Sequence, residues 1–308
     1  MLRAFFVHLS ENRTLRNFAE RSSIGRRVSG RFVAGTEIAD AVRATQVVNA
    51  AGMSVTIDNL GENVTNPDEA RHSAQLYHQI LEAIAANKLN ANISLKLTHM
   101  GLDVDESLAR KLVSDLVVKA ASMTPPGFVR VDMEGSPYTQ RTLDFVHELH
   151  RMPGNGNSVG TVIQAYLKRS EKDVENLLSE RIRIRLCKGA YKEPASIAFE
   201  SKADVDGNYI KLMKTLMKSG VYHGLATHDE NIVREAEAFA KKEKIAPEAF
   251  EFQMLYGIRR DLQQRLVREG WRVRVYIPFG TEWYPYFMRR LGERPANVFF
   301  IMKNMLRA

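Results

Sequence analysis

Eight short segments rich in apolar residues recur along the chain, and each is followed by a longer stretch with apolar residues at helical spacing. The strand-like segments are 54–58, 92–97, 128–133, 159–165, 182–187, 222–227, 249–254 and 272–277. The helix-like stretches run over 68–86, 106–121, 139–152, 170–180, 208–218, 231–242 and 259–269. Strand alternating with helix implies a parallel sheet, because the intervening helix carries the chain back to the end where the next strand must begin. Eight such units in roughly 250 residues is the size of a (β/α)8 barrel. A doubly wound sheet competes, but it usually carries a glycine-rich phosphate turn after its first strand, and Asn59-Leu60-Gly61-Glu62 is not one. The barrel is the expected architecture.

Residues 10–50 read as helical, with Leu15, Phe18 and Ala19 in one segment and Ile38, Ala41, Val42 and Val48 in a second that ends near Gly52. Nothing asks for a second domain. One unit over 1–308 is expected, with 1–50 as a helical extension and 51–308 as the barrel. The net charge is +8, yet Lys and Arg are interleaved with Asp and Glu instead of gathered in blocks. The exception, Arg13, Arg16, Arg21, Arg26, Arg27 and Arg31, reads as a solvated helix face, so no nucleic-acid partner is expected. A single cysteine, Cys187, rules out an internal disulfide and fits a reducing compartment. No apolar run approaches the ~20 residues of a membrane span, and 1–10 is too short for a signal peptide. A cytoplasmic location is expected.

In a parallel barrel, chemistry gathers at the carboxyl ends of the strands. In chain order this sequence places there Asp58 and Glu62, Lys96 and His99, Asp132 and Glu134, Gln164 and Tyr166, Arg185 and Lys188, Thr227 with His228 and Asp229, Gln253, and Tyr276. Polar groups at so many strand ends are costly unless they are paired or used. Asp132, between Val131 and Met133, needs a cation, and Lys96 on the adjacent strand is the expected partner. Alternation puts Arg183 and Arg185 on one side of their strand, followed by the small-residue turn Gly189-Ala190-Tyr191. His228 suits a metal, a base or a capped turn; the other histidines fall mostly in helices, which disfavours a metal. No serine or cysteine stands in a nucleophile elbow.

After the last strand, Pro278 and Gly280 break the chain and Pro285 suits the first turn of a helix. On that helix Tyr286, Arg289 and Arg290 fall at i, i+3 and i+4 and share a face. Alone, the pair reads as a solvated face. With Lys96, Arg185 and Lys188 it makes a basic, aromatic mouth suited to an anionic substrate and a flat, phosphate-bearing cofactor.

From about Phe32 to the C-terminus, the sequence resembles the proline dehydrogenases. The resemblance rests on Ser94-Leu95-Lys96-Leu97-Thr98, Arg130-Val131-Asp132-Met133-Glu134, Gln164-Ala165-Tyr166-Leu167, Arg185 through Tyr191, Ala226-Thr227-His228, Glu251 through Gly257, and Tyr276 through Arg290. It implies a distorted (β/α)8 barrel whose last helix covers the mouth, and oxidation of L-proline to Δ1-pyrroline-5-carboxylate with reduction of bound FAD. By that likeness the substrate carboxylate meets Arg289, Arg290 and Lys96, while Tyr276, Tyr286 and Leu255 pack on its ring. Asp132 orients Lys96. Arg185, Gln164 and Met133 lie at the isoalloxazine. Lys188, Gly189, Ala190, Tyr191, Thr227 and His228 hold the rest of FAD, and Glu62 and Glu293 support the arginines.

The likeness further implies a short, monofunctional bacterial type. Electrons would pass to a membrane quinone through transient contact with the inner face of the membrane, and the product to a separate pyrroline-5-carboxylate dehydrogenase. A barrel flavoenzyme acting on another cyclic or N-methyl amino acid is the nearest alternative; a binding barrel that grips nucleic acid or membrane is the one from another class.

Overall fold

A computed structural model describes residues 30–293, with side chains up to residue 288. Helix α1 (Ile38–Ala50) precedes strand β1 (Ser54–Asn59). There follow α2 (Pro67–Ala86), β2 (Ala91–Leu95), α3 (Glu106–Ala121), β3 (Val129–Val131), α4 (Ser136–Arg151), β4 (Val159–Gln164), α5 (Ser170–Ser179) and β5 (Arg183–Cys187). Then come α6 (Lys202–Lys218), β6 (His223–Ala226), α7 (Glu230–Glu243), β7 (Phe250–Leu255), α8 (Arg260–Arg268), β8 (Val273–Phe279) and α9 (Trp283–Glu293). The eight strands pair in parallel, in sequence order, and β8 closes on β1 with Ile57 opposite Ile277. The expected barrel is present.

Two helices begin earlier than their apolar periodicity announces. For α4 the cause is Pro137, which occupies the first turn, where its missing N–H costs nothing. For α6 it is Ser201, whose side chain accepts a hydrogen bond from Asp204 N–H. Strand residues facing the helices are the apolar ones, among them Val55, Ile57, Ile93, Leu95, Ile184, Leu186, Val273 and Val275, and all are buried.

The alternate set faces the barrel axis and is largely polar, with Val162 opposite Arg185 as an apolar exception. Tyr276 on β8 hydrogen-bonds Asp132 beyond β3, two elements that do not neighbour each other in the sheet, so the contact crosses the interior. Lower down, Glu251 pairs with Arg274 at 2.6 Å, and Arg130 donates to the carbonyls of Thr161 and Arg183 at 2.8 and 2.7 Å. Barrels ordinarily fill this space with branched apolar side chains.

The last helix departs from the regular pattern. Helix α1 packs on β8 and β1, the place on the wall that a final helix would take. Helix α9 instead seats Trp283, Tyr284, Tyr286, Phe287 and Met288 against Leu60, Leu255 and Ile258, which lie at or just past the carboxyl ends of β1 and β7, and against Phe32 and Val33. Gly280 makes the turn into it with φ +120°, a conformation that favours glycine. The helix therefore lies across the mouth, as the resemblance implies.

Candidate active site

Asp132 stands at the centre of the mouth. One oxygen meets Arg185 Nη2 at 2.6 Å and also accepts a short hydrogen bond from Ser94 Oγ; the other accepts from Tyr276 Oη at 3.0 Å. The guanidinium of Arg185 also lies over the Tyr276 ring, 5.0 Å from its centroid. Burial alone would lower the Arg185 pKa, but Asp132 first and Tyr276 next raise it, so the group is held charged. Tyr276 is held neutral: burial and the charge of Asp132 push its phenol well above the ordinary value.

The expected ion pair between Lys96 and Asp132 is replaced by this one. Asp132 takes its direct cation from Arg185, two strands away, because β3 is short and Asp132 lies just past its end, turned to the axis. Lys96 is half-buried and sits in the field of four carboxylates: Asp58, Glu62, Asp132 and Glu134. Burial works against its charge, and those four outweigh it, so its pKa is raised. Below it, Asp58 is 2 % exposed and accepts from Tyr77 Oη at 3.3 Å. Burial raises the Asp58 pKa to about 6, against the pull of Lys96. Glu134 accepts from the backbone N–H and hydroxyl of Thr98 at 3.1 and 2.7 Å. Burial nevertheless raises its pKa.

The remaining residues form an outer arc. The side-chain amide of Gln164 donates to the Glu134 carbonyl at 2.9 Å, and Met133 is buried beside it in sequence. Lys188 bridges Asp206 and Asp229 at 2.5 and 2.9 Å. Gly189 follows with φ +119°, and a Cβ there would strike the Tyr166 ring at 2.2 Å, so only glycine lets this turn close down on Tyr166. Ala190 and Tyr191 are exposed at the rim. Thr227 is buried and accepts from Asp229 N–H at 3.1 Å; His228 Nε2 accepts from Leu255 N–H at 2.9 Å, which ties β6 to the end of β7. Glu62 is half-buried and close enough to act on Lys96 and His99. Tyr286 and Leu255 belong to the apolar contact between α9 and the mouth. Arg289, Arg290 and Glu293 belong to α9 by backbone, and their side chains lie outside the described residues.

Three contributors escaped the sequence reading. Ser94 was legible, two residues before Lys96 and so on the same strand face. Tyr77 lies at core spacing on its helix; nothing in that periodicity shows its hydroxyl reaching Asp58 and, at 2.8 Å, the Ser94 carbonyl. Asp206, from the first turns of α6, gives no local signal of its bond to Lys188. The mouth is also less basic than expected, since carboxylates balance its described cations. Such a site suits a zwitterion, with cations for a carboxylate and carboxylates for an ammonium.

The family model described as Proline dehydrogenase matches residues 41–303. The chain is similar to Proline dehydrogenase 1 of Bacillus subtilis, 40% identical over 308 residues and spanning 100% of both chains. It is 41% identical to Proline dehydrogenase of Deinococcus radiodurans over 280 residues, covering 90% of this chain and 89% of that one. Among solved structures it is similar to proline utilization A (PutA) from Bdellovibrio bacteriovorus inactivated by N-propargylglycine, with a TM-score of 0.80 and 25% identity over 87% of this chain. It spans 32% of the length of that chain. A barrel closed in this order, bearing Lys96, Asp132, Arg185 and Tyr276 at its mouth and matched over its full length by such relatives, belongs to the proline dehydrogenase family, oxidoreductases that act on the CH–NH group of proline in its catabolism.

Proposed function

We propose that this chain oxidises L-proline to Δ1-pyrroline-5-carboxylate with FAD as its cofactor and a quinone as the final acceptor. The observation that carries the reading is the convergence of Asp132, Arg185, Lys96 and Tyr276 at the mouth, under a helix that brings Arg289 and Arg290 to the same end of the barrel. Cationic Lys96 and that arginine pair would grip the substrate carboxylate, and the faces of Tyr276 and Tyr286 with Leu255 would pack on the pyrrolidine ring. Asp132 would act by position, holding both Arg185 and Tyr276 so that a small rigid substrate meets a fixed wall. Glu62 and Glu293 would steady the cations.

The donor set at the ends of β4 to β6 fits a flat, phosphate-bearing cofactor. It offers the Gln164 amide, Arg185 and Lys188, the close turn at Gly189 and the exposed Tyr191. Met133, Ala190, Thr227 and His228 would complete the cradle. Bound there, FAD supplies the two-electron oxidant that the side chains lack. No helix among the described residues is long and apolar enough to cross a membrane, so a membrane quinone would be met by transient contact. The product would pass to a separate dehydrogenase that oxidises it further.

Anaerobic addition of L-proline to the FAD-loaded protein tests this directly. Bleaching of the flavin absorbance with one equivalent of trapped Δ1-pyrroline-5-carboxylate is expected. A protein that takes up no flavin, or whose flavin stays oxidised with proline, would overturn the reading.

A further inference from the structure

The opposite end of the barrel, where the strands begin, holds a cavity of about 660 Å³. Its wall includes Arg181 and Arg183 at the start of β5, Tyr222 before β6, and Arg272 and Arg274 at the start of β8. Two charged groups of this wall are already neutralised. Arg274 is paired with Glu251 at 2.6 Å, and Glu180 with Arg151 and His147 at 2.5 and 2.9 Å. Arg181, Arg183 and Arg272 have no carboxylate within ion-pair distance among the described residues.

Their surroundings hold them for use along their edges. The Arg183 guanidinium stacks on Phe128 and Tyr222, with centroids 4.2 and 5.0 Å away, and Arg272 lies over Tyr222 at 5.6 Å. Stacking occupies the face of a guanidinium and leaves its N–H groups, which lie in the plane, to find acceptors elsewhere. Arg181 spends one of them on the Gly220 carbonyl at 3.2 Å, while the buried Nε of Arg183 has no acceptor among the described residues. A buried donor left in that state costs about 1–3 kcal/mol. An oxyanion in the cavity would meet the N–H groups of these three arginines that face it.

We propose that this cavity binds a phosphate-bearing small molecule, gripped by the N–H edges of Arg181, Arg183 and Arg272. Guanidinium forks match phosphate oxygens two at a time, which a carboxylate-poor wall of arginines favours over a neutral ligand. The volume lies in the range of small-molecule sites, about 300–1,000 Å³, so a phosphoryl group with several further atoms fits. The site lies at the end of the barrel opposite Asp132 and is independent of the proline chemistry.

Calorimetric titration of the full chain with pyrophosphate tests the assignment. It is run at constant ionic strength and with FAD at saturation, so that any diphosphate cradle at the mouth is already filled. Saturable one-to-one binding with a rise in Tm is expected. Arg183→Gln and Arg272→Gln should each weaken binding about tenfold or more, the loss of one charge-assisted contact. Arg272 is exposed, so its variant leaves the stacked interior intact and keeps the test decisive if Arg183→Gln folds poorly. No saturable heat at millimolar pyrophosphate, or an affinity unchanged by Arg272→Gln, overturns the proposal.

Discussion

Arg185 and Asp132 meet at 2.6 Å across the interior of the barrel, and both side chains are about nine-tenths shielded from water. The pair is not isolated, because Ser94 and Tyr276 donate to the same carboxylate. Three strands, β2, β5 and β8, are thereby tied to one side chain just beyond β3.

Asp132→Asn keeps the shape and removes the charge, leaving Arg185 buried without its counter-ion. Breaking a buried pair in this way costs about 3–5 kcal/mol, and the residual amide contacts should keep the loss near the lower end. The same change frees Arg185 and Tyr276 to move, so kcat/KM for proline should fall about 100-fold or more, the scale for a misplaced positioning group. Chemical denaturation and steady-state kinetics measure the two effects; unaltered kinetics in a stably folded variant would remove Asp132 from the site.

Much of this architecture is legible in the sequence, and the limits have physical causes. Period-two apolar alternation marks the residues that face the helices, and it places all eight strands because those residues are mostly apolar, with Thr161 and His223 as exceptions. The same alternation put Arg183 and Arg185 on one face. It could not say whether that face met solvent or the barrel axis, since a charged interior runs against the usual filling of a barrel. The partner of Asp132 differs from the expected one for a related reason. Adjacency in sequence order favours Lys96, whereas contacts through the axis join strands that are remote in the sheet. Tyr77 shows the third limit: an aromatic at core spacing conceals a hydroxyl aimed at Asp58.

Asp58 should leave a signature in the pH dependence of stability. Its folded pKa, about 6, lies above the unfolded carboxylate value, so the folded state holds a proton that the unfolded state has released. Stability contributed by this group is full below pH ~4 and is lost as pH rises through about 6, on the order of 2–3 kcal/mol for a shift of this size. Asp58→Asn should remove that falling segment. Urea midpoints of wild type and variant, compared from pH 4 to 7, check it; parallel curves would mean that Asp58 is charged throughout.

His223 acts in the opposite sense. Its Nδ1 accepts from Ile184 N–H at 3.0 Å, which leaves Nε2 to carry the proton toward Ser219 Oγ, also at 3.0 Å. A second proton has no acceptor, and burial followed by the charges of Arg130 and Arg183 lowers the pKa to about 3. The unfolded imidazole takes up a proton near pH 6.5, so stability is lost as pH falls below that value, by about 1.4 kcal/mol per unit. His223→Asn can still accept from Ile184 and should flatten the acid limb by one proton between pH 6 and 4, with lower stability at neutral pH. An unchanged slope would show that His223 titrates normally.

Gly160 offers a test of the charged interior that does not touch the mouth. A Cβ at this position would stand 2.3 Å from the Arg183 carbonyl oxygen on β5, 2.9 Å from the Phe128 ring and 3.0 Å from Arg130 Nη1. The first of these is backbone in the β4–β5 ladder, and it already accepts from Arg130 at 2.7 Å, so it cannot retreat without breaking that bond. Gly→Ala gains about 0.4–1 kcal/mol by restricting the unfolded chain. Overpacking costs about 1–3 kcal/mol where the surroundings can shift, and more where they are backbone. The clash should win. Gly160→Ala is expected to lower the unfolding free energy by about 2 kcal/mol or more, the overpacking cost less the entropic gain. Because the strain enters where Arg130 meets Arg183, the loss should shrink when Arg130 is replaced by Met in the same chain. A double-mutant cycle by chemical denaturation measures that coupling, and strictly additive losses would mean that the ladder at β4–β5 yields without involving Arg130.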